Sequence, residues 1–319
     1  MKWSRHTVVW TGFLLSLCVM ACANHAAVDN AQRRTHQSLL EDFHKALLTI
    51  QTVVDRETAL LLERYDPQAH CASYDHVISQ SSFYVPKSAV RGTALNCLAE
   101  VTAQFDEEWK ALYERTHYIS WMYVYDNATK ATRLYPQTNT YALFGPDMAF
   151  ESFYFYHGAV AQLPHGVWSG IRDDINGTGK IVIYSKALKC AHCRDYLVVA
   201  MDLRLDGISD RHRSQFVQFE KMIGGKKAVL FAYYRSESAR ELLYQQQSLD
   251  MPKRVAQDAS WEAMGDLVDM TQLAALESSL GTDCRDVVQG RLTMTRAQYV
   301  CTMGCLTQWP AYMALCREE

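Results

Sequence analysis

WMYVYDNATKATRLYP at residues 121–136 and YLVVAMDLRL at residues 196–205 bound the stretch that decides the fold. The first is rich in aromatic and β-branched residues and breaks at Asp126-Asn127-Ala128, where turn-favouring side chains interrupt it, so it predicts a β-hairpin. The second follows IVIYSKAL at residues 181–188 across a short link containing Cys190 and Cys193, and the pair predicts another hairpin. Between the hairpins lie an aromatic cluster, FESFYFYHGAV (150–160), and a loop dense in Gly, Asp and Asn, HGVWSGIRDDINGTGK (165–180). That order predicts a sheet presenting a pocket covered by loops. Residues 118–125 are apolar at both parities, which places that strand centrally, buried on both faces.

Working outward, residues Leu40, Phe43, Leu47, Ile50, Val54 and Leu61 recur at three- and four-residue steps and predict a long amphipathic helix from Gln37. Residues 65–92, with Asp66-Pro67, Pro86 and Gly92, read as a loop, and Leu95, Leu98, Val101, Phe105, Trp109 and Leu112 mark a second helix. Beyond Leu205 come a polar helical segment, one strand at residues 228–234, and a mostly helical tail with apolar spacing at Leu242/Leu243, Trp261, Met264, Leu267 and Met270.

Lys2 and Arg5 precede an apolar run at residues 8–20 that is short for a membrane span and ends in small residues, the build of an export signal over residues 1–21. Val19-Met20-Ala21-Cys22 resembles the lipobox of bacterial lipoproteins, in which Cys22 becomes the acylated membrane anchor; ordinary cleavage near Ala23 or Ala27 is the other reading. Either way the chain is read as extracytoplasmic, in the periplasm, and the oxidising compartment fits its ten cysteines. Setting aside Cys18 and Cys22 leaves Cys71, Cys97, Cys190, Cys193, Cys284, Cys301, Cys305 and Cys316, which spacing sorts into Cys71 with Cys97, Cys190 with Cys193, and the last four among themselves. The Cys190-Ala-His-Cys193 pair reads as a structural disulfide, a redox couple or half a metal site.

The 319 residues are 49% hydrophobic and 21% charged, which is globular, and 32 basic against 35 acidic residues give a net charge of −3 with no footprint for nucleic acid. The sequence holds no G-x-S-x-G elbow, Walker loop or H-E-x-x-H, and its eleven histidines form no ligand-spaced cluster, so the reading is a binding module with no catalytic residue, metal or cofactor assigned.

The long N-terminal helix, YISWMYVYDNATKATRLYP, the aromatic segment at residues 153–156, GVWSGIRDDINGTGKIVIYSKAL, and a final strand ending VVAMDLRL together resemble the Cache fold, the PAS-like ligand-binding module of extracytoplasmic sensors in chemoreceptors and sensor kinases. The resemblance implies an α+β fold, with the long helix packed on a PAS-like antiparallel sheet. It covers a ligand-binding domain at residues 37–208, after an anchor and linker at residues 22–36. Residues 209–319 show one strand where a repeat of the sheet needs several, so they are read as a mostly helical, disulfide-tied C-terminal subdomain, a degenerate second module remaining open.

In the amino-acid-binding branch of that family an Arg-x-Trp-Tyr segment holds the ligand carboxylate and a strand aspartate holds its ammonium. Here the segment is Glu151-Ser152-Phe153-Tyr154 and the aspartate is Asp202. A carboxylate clamp needs a cation with paired donors, and Glu151 is not one. The resemblance therefore implies a small-molecule ligand that is an amine or another neutral or cationic metabolite rather than an ordinary amino acid. Asp202 shares a strand face with Tyr196, Val198 and Ala200, where a carboxylate is costly unless paired. It either contacts ligand or caps the turn at Gly207. Phe153, Tyr154, Trp168 and Tyr184 are the aromatic wall suited to a cation, or else core. The function read is an exported, lipid-anchored sensor module that binds a small molecule and signals through a separate transmembrane protein, not an enzyme, with a periplasmic thiol-redox protein built on Cys190 and Cys193 as the alternative.

Overall fold

The computed structural model describes all residues except 1–4, 77–79, 90, 178, 225, 236–239, 248–267, 281–283, 285–286, 295–296 and 307–308. The side chains of residues 5–25, Cys22 among them, and of residues 241–242, 244–245 and 247 also lie outside the description. Two compact modules result: residues 43–211, here the first module, and residues 1–42 with 212–319, the second. Helix α1 (Arg5–Arg64) contributes residues to both.

In the first module the elements after α1 are β1 (Ser82–Tyr84), α2 (Thr93–Thr102), α3 (Asp106–Thr116), β2 (Ile119–Asp126), β3 (Ala131–Tyr135), α4 (Thr140–Phe144), α5 (Tyr154–Ala161), β4 (Val167–Trp168), β5 (Arg172–Asp173), β6 (Lys180–Leu188) and β7 (Leu197–Arg204). The strands form one antiparallel sheet in the order β1-β3-β2-β7-β6-β4, with β5 also on β6. β2 is buried along its whole length, as its unbroken apolar run predicts, and lies between β3 and β7. The predicted second helix is two, α2 and α3, joined by a single 3₁₀ turn at Ala103–Phe105.

Strand parity gives the two faces of this sheet different work. Tyr123, Tyr125, Leu134, Ile181, Ile183, Val198 and Ala200 face one side, in a cluster with Phe150 and Phe155. Lys186, at the opposite parity on β6, reaches Asp55 of α1 at 2.8 Å, so the helix lies on the other face. Two buried polar pairs tie helices to the framework. The Arg133 guanidinium on β3 donates to Thr102 Oγ1 (2.7 Å), Ala99 O (2.6 Å) and Ser81 Oγ (3.0 Å), and stands 3.5 Å from Asp106. Trp109 Nε1 donates to Glu57 Oε1 of α1 at 2.5 Å; burial pushes the Glu57 carboxyl well above the ordinary range, against the pull of the Trp109 bond.

The second module corrects the mostly helical expectation for residues 209–319. After α6 (Leu205–Met222) come β8 (Ala228–Arg235), β9 (Arg240–Gln247), α7 (Met270–Ser279), β10 (Val288–Met294), β11 (Ala297–Cys305) and β12 (Ala311–Glu318). The strands form a five-stranded antiparallel sheet, β10-β11-β12-β8-β9. Written as β9-β8-β12-β11-β10 this is the order β3-β2-β7-β6-β4 of the first sheet, so the module left open as degenerate is present as a full sheet. The strand character of RELLYQQQ and AYMALCRE is masked because they are rich in Ala, Leu, Met, Gln, Arg and Glu, good helix formers, and AQYVCTMGC, with Gly and two Cys, lacks a clean alternation. Pairing and burial override that preference. Trp261, Met264 and Leu267, on which the helical reading partly rested, fall outside the described residues.

Among the described residues four disulfides are formed: Cys71–Cys97 and Cys190–Cys193 in the first module, Cys284–Cys305 and Cys301–Cys316 in the second. Cys301 and Cys316 are directly opposed across β11 and β12.

α1 is held on the second sheet by polar bonds to strand carbonyls. Gln32 Nε2 donates to Val300 O (2.9 Å) and Leu315 O (2.8 Å), and His36 Nε2 lies 2.8 Å from Met313 O. A carbonyl can only accept, so Nε2 carries the proton. Gly304 permits this approach, since a Cβ there would meet Leu40 Cδ2 at 2.8 Å. Burial lowers the His36 pKa to about 4, the bond to Met313 opposing it in part. The unfolded chain takes up this proton near pH 6.5 and the folded chain only near 4, so the stability is present above pH 6.5 and lost as pH falls towards 4. Urea unfolding at pH 7 and pH 4.5 should show a loss of roughly 2–3 kcal/mol from this residue. His36→Gln, which keeps a donor and cannot titrate, should lose correspondingly less; an equal loss in both proteins would remove His36 as the source.

Candidate functional site

The first module encloses a cavity of about 310 Å³ between its sheet and the segment that crosses it. Its floor is the face set by strand parity: Trp121 and Tyr123 on β2, Thr132 and Leu134 on β3, Ile181 and Ile183 on β6, and Asp202 on β7. Its roof is Phe144 of α4 with Phe150, Phe153, Tyr154 and Phe155, and Arg172, Asp173 and Ile175 lie at its edge. Floor and roof meet edge to face where Tyr123 packs on Phe155 at 5.0 Å between centroids, and within the roof Phe144 packs edge to face on Phe150 at 4.9 Å, so the aromatic walls are preformed.

Asp202 is the exception on an apolar floor. Its backbone partner across the sheet is Ile183, and Val198 and Ala200 precede it on the same face. It is 5% exposed, and among the described residues the one hydrogen bond to its carboxyl comes from Tyr123 Oη, donated to Oδ1 at 3.0 Å. Burial drives the Asp202 carboxyl well above the ordinary range, against the pull of the Tyr123 bond, and the nearby Asp174 charge pushes the same way. Tyr123 is raised in turn by burial and by Asp202.

Asp174 itself organises the edge loop. Ser120 Oγ donates to its Oδ2 at 2.8 Å, Trp121 Nε1 to its Oδ1 at 3.3 Å and Asn176 N to its Oδ1 at 3.0 Å. Its neighbour Asp173 is exposed and paired with Lys180 at 2.6 Å. Among the described residues no three His, Cys, Asp or Glu side chains converge as a metal-ligand set.

Of the five residues singled out from sequence as ligand contacts, the cavity brings together Phe153, Tyr154 and Asp202. Trp168 and Tyr184 lie elsewhere. They are register partners on β4 and β6 with rings 5.0 Å apart, and Tyr184 accepts from Gln51 of α1, on the helix side of the sheet. Alternation explains the placement: Ile183 points to the cavity, so its neighbour Tyr184 cannot. The same rule, started from Asp202 and carried across the hairpins, could have found Ile183 and Tyr123.

Glu151, read from sequence as facing a ligand carboxylate, turns away from the cavity to accept from Lys130 Nζ (2.9 Å) and Tyr125 Oη (2.7 Å). Among the described residues the cation lining the cavity is Arg172, absent from the sequence reading, whose guanidinium lies 5.0 Å above the Tyr154 ring. It stands on a two-residue strand with no pattern of its own. Cys190 and Cys193 close the turn between β6 and β7, with no helix N-terminus to favour a thiolate.

No family model matches the chain, and no curated protein matches it. Solved structures do. The extracellular domain of a protein named as the histidine kinase rpHK1S-Z16 aligns with a TM-score of 0.54 at 12% identity, over 92% of this chain and 95% of that one. The ligand-binding domain of the Pseudomonas fluorescens chemoreceptor CtaA, in complex with L-leucine, aligns with a TM-score of 0.51 at 14% identity, over 93% and 97%. At such identities the likeness speaks to fold: this chain has the α+β fold of Cache-type extracellular sensor domains, and the alignments span both modules.

A carboxyl whose pKa is raised by folding destabilises the fold as pH climbs above its unfolded value, until the folded pKa is reached. Asp202→Asn, nearly isosteric and neutral, should therefore stabilise the ligand-free protein at pH 7–8 by roughly 1–3 kcal/mol, the scale for a buried polar group left short of partners. Denaturant melts of both proteins across pH 5–8 test it. A variant less stable than wild type throughout would mean that Asp202 is a structural cap.

Proposed function

We propose that this protein is an extracytoplasmic sensor module that binds a small molecule bearing an ammonium group and an apolar body. The observation that carries the reading is Asp202: a buried carboxyl on the floor of an aromatic cavity, bonded to Tyr123 and, among the described residues, to no cation. An ammonium placed there gains a charge-assisted hydrogen bond and lies between rings that attract cations through their faces. L-leucine, the ligand in the CtaA complex, carries such a group. Arg172 gives a second reading of the same site, in which an amino acid extends its carboxylate to the cavity edge.

The reading includes attachment and output. Residues 1–21 serve as an export signal, Cys22 as the lipid-modified anchor, and the ligand state passes to a separate membrane protein. Among the described residues no helix is long and apolar enough to cross a membrane. A single acyl chain gives only marginal binding, so the anchor needs the multiple acylation of a lipoprotein. Cys22→Ser should move the protein from the membrane fraction to the soluble fraction of fractionated cells. Continued sedimentation with membranes would defeat the anchor.

Calorimetry with 2-phenylethylamine, 2-phenylethanol and L-phenylalanine separates the ligand readings. The amine should bind and the alcohol should not; a preference for the amino acid supports the Arg172 variant. Because the ammonium pairs with the ionised acid, amine affinity should rise with pH and binding should release a proton, visible across buffers of different ionisation enthalpy. Removing one partner of a buried charge pair costs about 2–5 kcal/mol, so Asp202→Asn should weaken binding roughly thirty-fold to several-thousand-fold. Unchanged affinity in that variant takes Asp202 out of the site.

A further inference from the structure

The roof of the first-module cavity is fastened by groups that never touch the cavity. Glu151 lies in sequence between the roof residues Phe150 and Phe153, yet its carboxylate accepts from Lys130 Nζ at 2.9 Å and Tyr125 Oη at 2.7 Å, at the β2–β3 turn. Lys130 is held in the left-handed region, φ 61°, and also donates to Asn127 Oδ1 at 2.6 Å. Asn127 Nδ2 donates to Asp195 Oδ2 at 2.5 Å, and Asp195 Oδ1 accepts from Tyr156 Oη of α5 at 3.4 Å. The polar chain thus grips the roof on both sides of Phe153, Tyr154 and Phe155.

We propose that Glu151 is a positioning residue of the ligand site: its carboxylate, fastened to Lys130 and Tyr125, holds the aromatic roof over Asp202, and its release opens the cavity. The inference rests on the reading of this cavity as the ligand site. Burial alone would raise the Glu151 pKa, but the bonds from Tyr125 and Lys130 outweigh it and leave it lowered, so the carboxylate is ionised at neutral pH.

The second module repeats the device independently. There Tyr233 on β8 donates to Glu277 Oε1 at 2.7 Å, and Arg240 on β9 grips both carboxylate oxygens at 2.7 and 2.6 Å. In each module the tyrosine comes from the first strand of the hairpin, the cation from its turn or second strand, and the glutamate from the helical segment crossing the same face. The copies differ in strength. The Glu277 side chain is 2% exposed and has Arg235 as a second cation at 3.2 Å, whereas Glu151 and Lys130 are each 35% exposed. A half-exposed Lys–Glu pair contributes little on its own. The first-module fastening is therefore the one that can open.

Hydrogen–deuterium exchange on the ligand-free full chain tests this without a ligand. In Glu151→Gln and Lys130→Met, amides of residues 150–157 should exchange about tenfold faster, as local opening becomes easier, while β7 keeps its wild-type rate. The charge-exchanged Glu151→Lys/Lys130→Glu protein should recover most of the protection. Affinity for 2-phenylethylamine should fall about tenfold in the single variants, about 1.4 kcal/mol, and return in the exchanged protein. Unchanged exchange at residues 150–157, or equal acceleration throughout the sheet, overturns the inference. A wild-type protein that binds no amine overturns the amine reading instead, and exchange still decides the fastening.

Discussion

Both faces of the first-module sheet are covered, and a strand sends alternate side chains to opposite faces. Each strand must therefore carry two chemistries in strict alternation. On β7, Val198, Ala200 and Asp202 serve the cavity, while Val199, Met201 and Leu203, all fully buried, serve the other face. On β6, Ile181 and Ile183 line the cavity, and Lys186 reaches Asp55 of α1. A one-residue slip would put Asp202 into an apolar helix interface and Lys186 under the aromatic roof, so pairing and site geometry are specified together.

This coupling also governs how much could be read without coordinates. The two hairpins, the long helix and the buried central strand are strong signals because their patterns run for many residues. Asp202 stood out because a carboxylate on an apolar strand face breaks a local rule. Tyr184 and Trp168 were misplaced because choosing residues by aromatic character ignored parity, although the register needed to correct them lay in the same hairpin. Arg172 and the fastening of Glu151 to Lys130 and Tyr125 left no trace in the pattern, since they join segments through tertiary approach. In the second module the strand signal lies largely in cross-strand pairing, as at Cys301 and Cys316, which a single sequence does not display.

The two modules share a strand order but fill their covered faces differently. In the second, Leu273, Leu276 and Leu280 in and beside α7 pack with Val229, Phe231 and Tyr299 of the sheet. Gly290 lets Leu276 come so close that a Cβ there would stand 2.3 Å from Leu276 Cδ2. In the first, large flat rings meet edge to face and leave the space between them open. Branched aliphatic side chains interdigitate into a close-packed layer, whereas rings held by their neighbours cannot collapse to fill a gap of this size.

Buried acids make the same contrast sharper. Glu277 and Asp202 are almost equally inaccessible, at 6% and 5% exposure. Glu277 nonetheless has its pKa lowered, because the Arg240 and Tyr233 bonds outweigh its burial, while Asp202 has its pKa raised well above the usual value, because the Tyr123 bond does not. Among the described residues, one fold thus holds a carboxylate supplied with cations by its own chain and a carboxyl that is not. Desolvation that no internal partner offsets is a standing cost to stability. On the proposed reading, the geometry at Asp202, with a cavity in front of it and aromatic rings around it, lets that cost be recovered when a cation arrives from solution, which is the energetic form a ligand sensor requires.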